Sequence, residues 1–537
     1  MSGSSVILDT LHDLSFGLNA QTLAIVAVAL VAVAVVHYAR YAKGKIHLPG
    51  PTPLPIVGNL LQLGKDPAIT YYEWSKTYGD VFKITLGERE VVVVNSAKAA
   101  KDLFNDQGSV YISRPKFHNF HTVISSSAGF TIGTSPWDDS CKRKRRAAAT
   151  ALNRVAVQTY VPIIDRETLA LIEDLYTGSE AGKVQVNPFA YVQRLALNVS
   201  LVANYGCRLD GVSDDMLREI VDVETNVANF RSVNNSWRDY IPLLRLVPSS
   251  AGAAEAQLME QTRVRRDKYM NFLLDDLKDR VKQGKDIPCI TGNILKDPEA
   301  KLSDEELSSI CLSMVSAGLD TLANTLFWSI GYLAKHPEIQ EKAYQAIYDV
   351  YQGAIPDSNE ETVEYITALG KECSRYFSVL KLALPRATLG DSEYRGVHIP
   401  DGTTVFLNAW GIHHDEERYG DVENFRVERF LDESEASRQA HYSYGAGRRM
   451  CAGVHLANRE MYIAFCKLIH FFKIEMGDAD YDIDPATACA NPLGLASTPY
   501  PFKVRFVPRD ASTIEGWIED EKSRAELKLA KSIGMKA

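Results

Sequence analysis

No two of the 8 cysteines in this sequence stand at Cys-x-x-Cys spacing. Scattered in this way, they point to a reducing compartment rather than a disulfide framework. An excess of positive charge is also missing: the formal net charge of −9 gives no basis for nucleic-acid binding. No complete dinucleotide fingerprint is present. Gly445-Ala446-Gly447 begins like one, but Met450 stands where the third glycine belongs and no strand precedes it. His413-His414-Asp415-Glu416 lacks the histidine spacing of a zinc protease. Between Leu48 and Pro508 there is no low-complexity tract, no Ser/Gly-rich linker and no internal repeat. Length alone allows roughly two to four domains, yet one large domain is the expectation.

What is present begins with an uninterrupted apolar run from Leu23 to Val36. With its flanks, Ala20 to Ala39, it reaches the roughly 20 residues that a membrane-spanning helix needs. A cleavable signal would carry positive charge in front, whereas Asp9 and Asp13 precede this run. Arg40, Lys43 and Lys45 follow it and keep the C-terminal side cytoplasmic. The expected organisation is a lumenal segment 1–19, an anchor 20–42, a hinge 43–60 stiffened by Pro49, Pro51, Pro53 and Pro55, a main domain 61–508 and a charged tail 509–537. A cytosolic main domain would leave the glycosylation acceptors at Asn198 and Asn234 unused.

The densest signal surrounds Cys451, in Tyr444-Gly445-Ala446-Gly447-Arg448-Arg449-Met450-Cys451-Ala452-Gly453. By chance, such flanks would arise around any of these cysteines on the order of 10⁻⁴ of the time. A thiol in a glycine-permitted loop at a helix start meets unpaired N–H groups and the positive end of the helix dipole, which favour thiolate. Such a thiolate suits the axial position of haem iron, and Arg449 is then placed to pair with a haem propionate.

Further along the chain, Ser303-Asp304-Glu305-Glu306 reads as a capping box opening a helix that stops at His336-Pro337. At about 33 residues it would run roughly 50 Å. Midway lie Ala317, Gly318, Asp320 and Thr321, where the threonine can bond the carbonyl one turn back and the acid–alcohol pair can relay protons. Glu372 and Arg375 stand at i and i+3 on one helix face. Trp137 precedes the basic run Lys142-Arg143-Lys144-Arg145-Arg146.

These segments resemble the cytochrome P-450 superfamily, whose cysteine loop reads Phe-x-x-Gly-x-Arg-x-Cys-x-Gly. The phenylalanine is Tyr444 here, which keeps the ring that would shield the sulfur. The resemblance implies a mainly α fold with small β-sheets, a haem b cofactor bound through Cys451, and oxygen activation at Ala317-Gly318-x-Asp320-Thr321. It also implies a buried Glu372–Arg375–Arg429 network, though Val427 replaces the usual proline nearby. Propionate contacts are implied for Trp137, Arg386 and a basic residue after the tryptophan. That residue is Arg143 or Arg145, because Cys141 occupies the usual arginine position. Since the chain carries no flavin or nicotinamide motif, electrons are expected from a separate NADPH-cytochrome P-450 reductase, with cytochrome b5 as a second donor. O2 is the co-substrate, and the location implied is the endoplasmic reticulum membrane.

The run from Ser443 to Glu460, together with Ser316 to Thr321, looks like the fungal phenylacetate-hydroxylase branch, which implies hydroxylation of a small aryl compound. A loop from Val110 to Ile132 carries Tyr111, Phe117, His118, Phe120, His121 and Phe130, enough ring surface to hold one. Arg114, Lys116, Arg231 and Arg238 are candidates to anchor a carboxylate. The alternatives are oxidation of a bulkier secondary metabolite, a haem-thiolate isomerase or dehydratase, against which Asp320-Thr321 counts, and a haem sensor without catalysis.

Overall fold

The computed structural model describes residues 46–532 except 128, 234–236, 247–249, 298, 300 and 432–440, together with isolated positions between 24 and 35. Apart from those positions, the expected anchor and the stretch before it lie outside the described residues, as does the acceptor at Asn234.

Helices dominate. Those that build the site are α1 (Pro67–Tyr78), α2 (Asp139–Ala151), α3 (Arg154–Gly178), α4 (Phe189–Tyr205), α5 (Asp215–Arg231), α6 (Ser250–Lys282), α7 (Asp304–Lys335), α8 (Glu364–Phe377), α9 (Val454–Phe471) and α10 (Ala511–Ser532). The strands are β1 (Val81–Leu86), β2 (Arg89–Val94), β3 (Arg386–Ala387), β4 (Ser392–Tyr394), β5 (Val397–Ile399), β6 (Thr404–Leu407), β7 (Phe472–Met476) and β8 (Val504–Pro508). β1 and valine-rich β2 form an antiparallel hairpin, β6 joins β2 in parallel, and β3 closes the order β1-β2-β6-β3. The pairs β4–β5 and β7–β8 are separate two-stranded sheets.

Helix α7 is the central element. Its first turn is fixed by a reciprocal capping box between Ser303 and Glu306, and its C-terminal half is buried nearly all round. Phe327 stacks between Phe189 and Phe502, at centroid distances of 4.6 and 4.5 Å, and Trp328 stacks on Phe377 at 5.5 Å. It is long and apolar enough to cross a membrane, but 67% of its most apolar window is buried within the protein, as befits a core helix.

Described residues of the hinge and of the tail pack onto the domain. In the hinge, Ile46 is buried against the sheet and the Lys83 N–H donates to Pro49 O at 2.9 Å. The tail begins as α10, whose Ile514 and Trp517 are buried, with Trp517 4.7 Å from Phe471. Apolar residues three apart on a helix share a face, and that face outweighs the charge around it. Asn198 is fully buried on α4, bonded to Glu167 and the Leu209 backbone.

Candidate active site

Cys451 sits between a short 3₁₀ turn, Gly447–Arg449, and the start of α9 at Val454. Its N–H donates to Tyr444 O at 3.0 Å, closing the loop. Gly447 takes φ +58°, and a Cβ there would lie 1.8 Å from Phe104 O, so the loop approaches its neighbour closer than any side chain permits. The Tyr444 hydroxyl donates to Asn458 Oδ1 at 2.5 Å, tying loop to helix where the family's usual phenylalanine could not. Desolvation pushes the Cys451 thiol up, while the Gly453 N–H and Arg145 pull it toward thiolate.

Beside the loop gather Arg114, Arg386, Arg449 and Arg145, the first three buried. Each donates to backbone carbonyls: Arg114 to Leu384 and Pro385, Arg386 to Tyr111 and Ala446, Arg449 to Ile112, Ile132, Gly133 and Ser135, and Arg145 to Arg448 and Met450. Among the described residues none is hydrogen-bonded to a carboxylate. Burial and mutual repulsion press their pKa values down, that of Arg386 to about 9 and that of Arg449, where burial leads, to about 10. The Nε groups of Arg114 and Arg449 have no acceptor. Buried cations without counter-charge fit a dianionic ligand such as the two propionates of haem. Arg449 also lies 5.9 Å over the Trp137 ring. Arg143 turns away from this cluster and pairs with Glu306 at 2.6 Å, so of the two alternatives after Trp137 only Arg145 is in place. Arg114 was a substrate-anchor candidate in the sequence; only the fold reveals its three arginine neighbours.

Across from the loop, α7 presents Ala317, Gly318, Asp320 and Thr321. Thr321 Oγ1 bonds the Ala317 carbonyl at 2.8 Å, one turn back. A Cβ on Gly318 would come within 1.9 Å of Ser200 Oγ, which is why α4 can cross α7 there. The Asp320 carboxyl is pushed up to about 7 by burial and by Glu224, with Arg231 opposing. Glu224 itself is buried on α5 and accepts from the hydroxyls of Tyr269 on α6 and Ser316 on α7. Sequence reasoning passed over Glu224. The signal was there, since it falls on the same helix face as Leu217, Ile220, Val223 and Val227, all buried.

Behind the loop Glu372 binds both Arg375 and Arg429, at 2.7 and 3.2 Å, with all three side chains nearly inaccessible. Their remaining donors reach carbonyls of His413, Tyr419, Asp421, Val422 and Asn424. His413, in the segment read as a connector, bonds Ser378 Oγ at 2.6 Å and accepts from the Tyr442 N–H at 2.8 Å.

Between α5, the loop after Arg114 and Leu384-Pro385 lies a small, partly open cavity. Phe117, Phe120, His121, Arg114 and Arg231 line it, so it adjoins the guanidinium cluster through Arg114. His121 is neutral, its pKa pushed down to about 4 by burial, with nearby Arg231 adding a smaller push. Tyr111 is not part of this wall: it is fully buried beside the sheet and bonds Ser392 Oγ at 2.8 Å. A second space, lined by Asp66, Lys381, Leu382, Val233 and Asn491, shares Pro385 with the first.

Comparison with known proteins agrees with this geometry. The family model described as cytochrome P-450 matches residues 48–506. The chain is 48% identical over 524 residues to a phenylacetate 2-hydroxylase of Emericella nidulans, covering 95% of this chain and 99% of that one. It is 48% identical over 507 residues to a cytochrome P-450 monooxygenase of Mycosarcoma maydis, covering 92% and 93%. A 3-hydroxyphenylacetate 6-hydroxylase of Emericella nidulans is 43% identical over 487 residues, covering 90% and 93%. Members of this family bind haem b through a cysteine thiolate and draw on O2 and a redox partner. With the match running almost from end to end, the chain belongs to the cytochrome P-450 family and is a haem-dependent monooxygenase.

Proposed function

We propose that this monooxygenase hydroxylates a small aromatic carboxylic acid of the arylacetate class, with Cys451 as the thiolate that would hold haem b. The observation that carries the substrate side is the cavity in which Phe117, Phe120 and His121 stand beside cationic Arg231, aromatic surface and positive charge in one small space. The names of the relatives point the same way.

When bound, haem supplies the O2 binding and one-electron chemistry of the reaction. The protein's part is to hold and protect it. Arg386, Arg449, Arg145 and Arg114 would take the propionates, with Trp137 packed against Arg449. Gly447 lets the cysteine loop close onto Phe104 O, and Gly453 leaves room beside the Cys451 sulfur. On the opposite side, Asp320, part protonated near neutral pH, holds a proton close to the Thr321 hydroxyl, a pair suited to general-acid steps. Glu372, Arg375 and Arg429 position the cysteine loop from behind.

Electrons would come from NADPH-cytochrome P-450 reductase, with cytochrome b5 as a second donor, at the cationic face around exposed Lys142, Arg146 and Arg448. The anchor segment 20–42 would hold the chain in the endoplasmic reticulum membrane, with the hinge 43–60 and the catalytic domain 61–508 on the cytosolic side.

Two measurements test the reading. Cys451→Ala should lose the reduced carbon monoxide band near ~450 nm that marks thiolate ligation; a retained band would put the ligand elsewhere. Phenylacetate added to the ferric wild type should shift the haem spin state, and no shift at millimolar ligand would overturn the arylacetate assignment.

A further inference from the structure

Four cations were available to meet a substrate carboxylate, and the fold disposes of three. Arg114 spends its donors on the Leu384 and Pro385 carbonyls within the guanidinium cluster. Arg238 donates to Gly252 O at 3.2 Å and faces Glu255 at 3.9 Å. Lys116 lies 5.3 Å over the Phe130 ring. Lys381, in the adjoining space, is paired with Asp66 at 2.6 Å.

Arg231 differs from all of these. It is the last residue of α5, it lines the aromatic cavity, and its guanidinium lies 5.2 Å over the Phe120 ring. Among the described residues it makes no hydrogen bond and no ion pair within 4.0 Å, and its Nε is buried without an acceptor. The acids that act on it, Glu224 and Asp320, do so from a distance, and both Glu224 oxygens already accept hydroxyls. Arg266, which also faces this group, is satisfied by Asp267, Ser127 and Ile124 O. A half-buried guanidinium held over a ring, without an anion, lacks the bidentate partner its geometry is built for.

We infer that Arg231 is the specificity-determining residue that binds the carboxylate of the substrate, while its aromatic ring packs against Phe117 and Phe120. This rests on the arylacetate reading above and sharpens it: the site selects an aryl acid over the corresponding neutral aryl compound. Phe120 then serves twice, as apolar wall and as the surface that fixes the guanidinium plane.

The test uses the full-length holoenzyme with phenylacetate and phenylacetamide, of nearly equal shape and different charge, each titrated by the haem spin-state change. The wild type should prefer the acid. Arg231→Gln should weaken phenylacetate on the order of 10- to 100-fold, the worth of a charge-assisted hydrogen bond, and leave phenylacetamide nearly unchanged, with Arg231→Lys in between. The reduced carbon monoxide band confirms folding of each variant. Equal phenylacetate affinity in Arg231→Gln, or equal loss of both ligands, would overturn the anchor alone. A wild type that binds acid and amide equally would overturn it even if no variant folded. A wild type that binds neither would instead overturn the arylacetate reading and the anchor with it.

Discussion

Two groups of buried arginines flank the cysteine loop, and they are opposites. Behind it, Arg375 and Arg429 share Glu372, and spare donors end on carbonyls. Beside it, Arg114, Arg386 and Arg449 are just as inaccessible but have carbonyls alone. A buried charge is tolerable only when paired. The matched group is therefore self-sufficient scaffold, whereas the unmatched one is shaped for something the chain does not supply. The distal side repeats the contrast on a smaller scale, with Glu224 satisfied by two hydroxyls and Arg231 by none.

The largest effect should come from breaking the matched group. Glu372→Ala strands two buried guanidinium groups and should cost about 3–5 kcal/mol, read as a large fall in the thermal midpoint and loss of bound haem. The unmatched group should respond with the opposite sign. Arg386→Met removes a repelling charge, so the haem-free protein should melt higher while the holoprotein releases haem faster. Simultaneous loss of apo-protein stability would contradict the comparison.

Next in size is a pH effect at Asp320. Its folded pKa of about 7 lies above the ordinary carboxyl value, so the folded state holds a proton that the unfolded chain has lost. Stability therefore falls as pH rises from the ordinary carboxyl range to about 7 and levels off above it. The proton available beside Thr321 is lost around pH 7, so peroxide formed per NADPH should rise as pH passes through about 7. Asp320→Asn should flatten both slopes, and Thr321→Ala should raise peroxide at every pH. The smallest effect expected is that of Tyr444→Phe, which forfeits the bond to Asn458 and should lower stability by ~1 kcal/mol, with the carbon monoxide band retained.

Much of this was legible because it is local. The capping box at Ser303 and the turn around Cys451 follow from neighbouring residues, and they appear where the patterns put them. Glu372 and Arg375 are legible as a pair for the same reason, being one turn apart. What the sequence concealed depends on contacts between distant segments. Nothing near Arg114 announces Arg386 and Arg449, some 270 and 330 residues on by their numbers. The fate of Arg143 was hidden because Glu306 lies on another helix. Of the rings in the 110–132 loop, Phe117, Phe120 and His121 line the cavity whereas His118 and Phe130 do not, and Tyr111 turns inward to bond Ser392.

The carbonyl-only arginine cluster also bears on how the enzyme matures. Its repulsion is present from the moment the strands carrying Arg386 and the cysteine loop close together, and it opposes that closure. Compaction of this region is therefore coupled to the arrival of an anion, and a newly made chain in a cell short of porphyrin would dwell in an open form. The yield of intact enzyme should then follow the supply of its prosthetic group rather than the rate at which the polypeptide is synthesised.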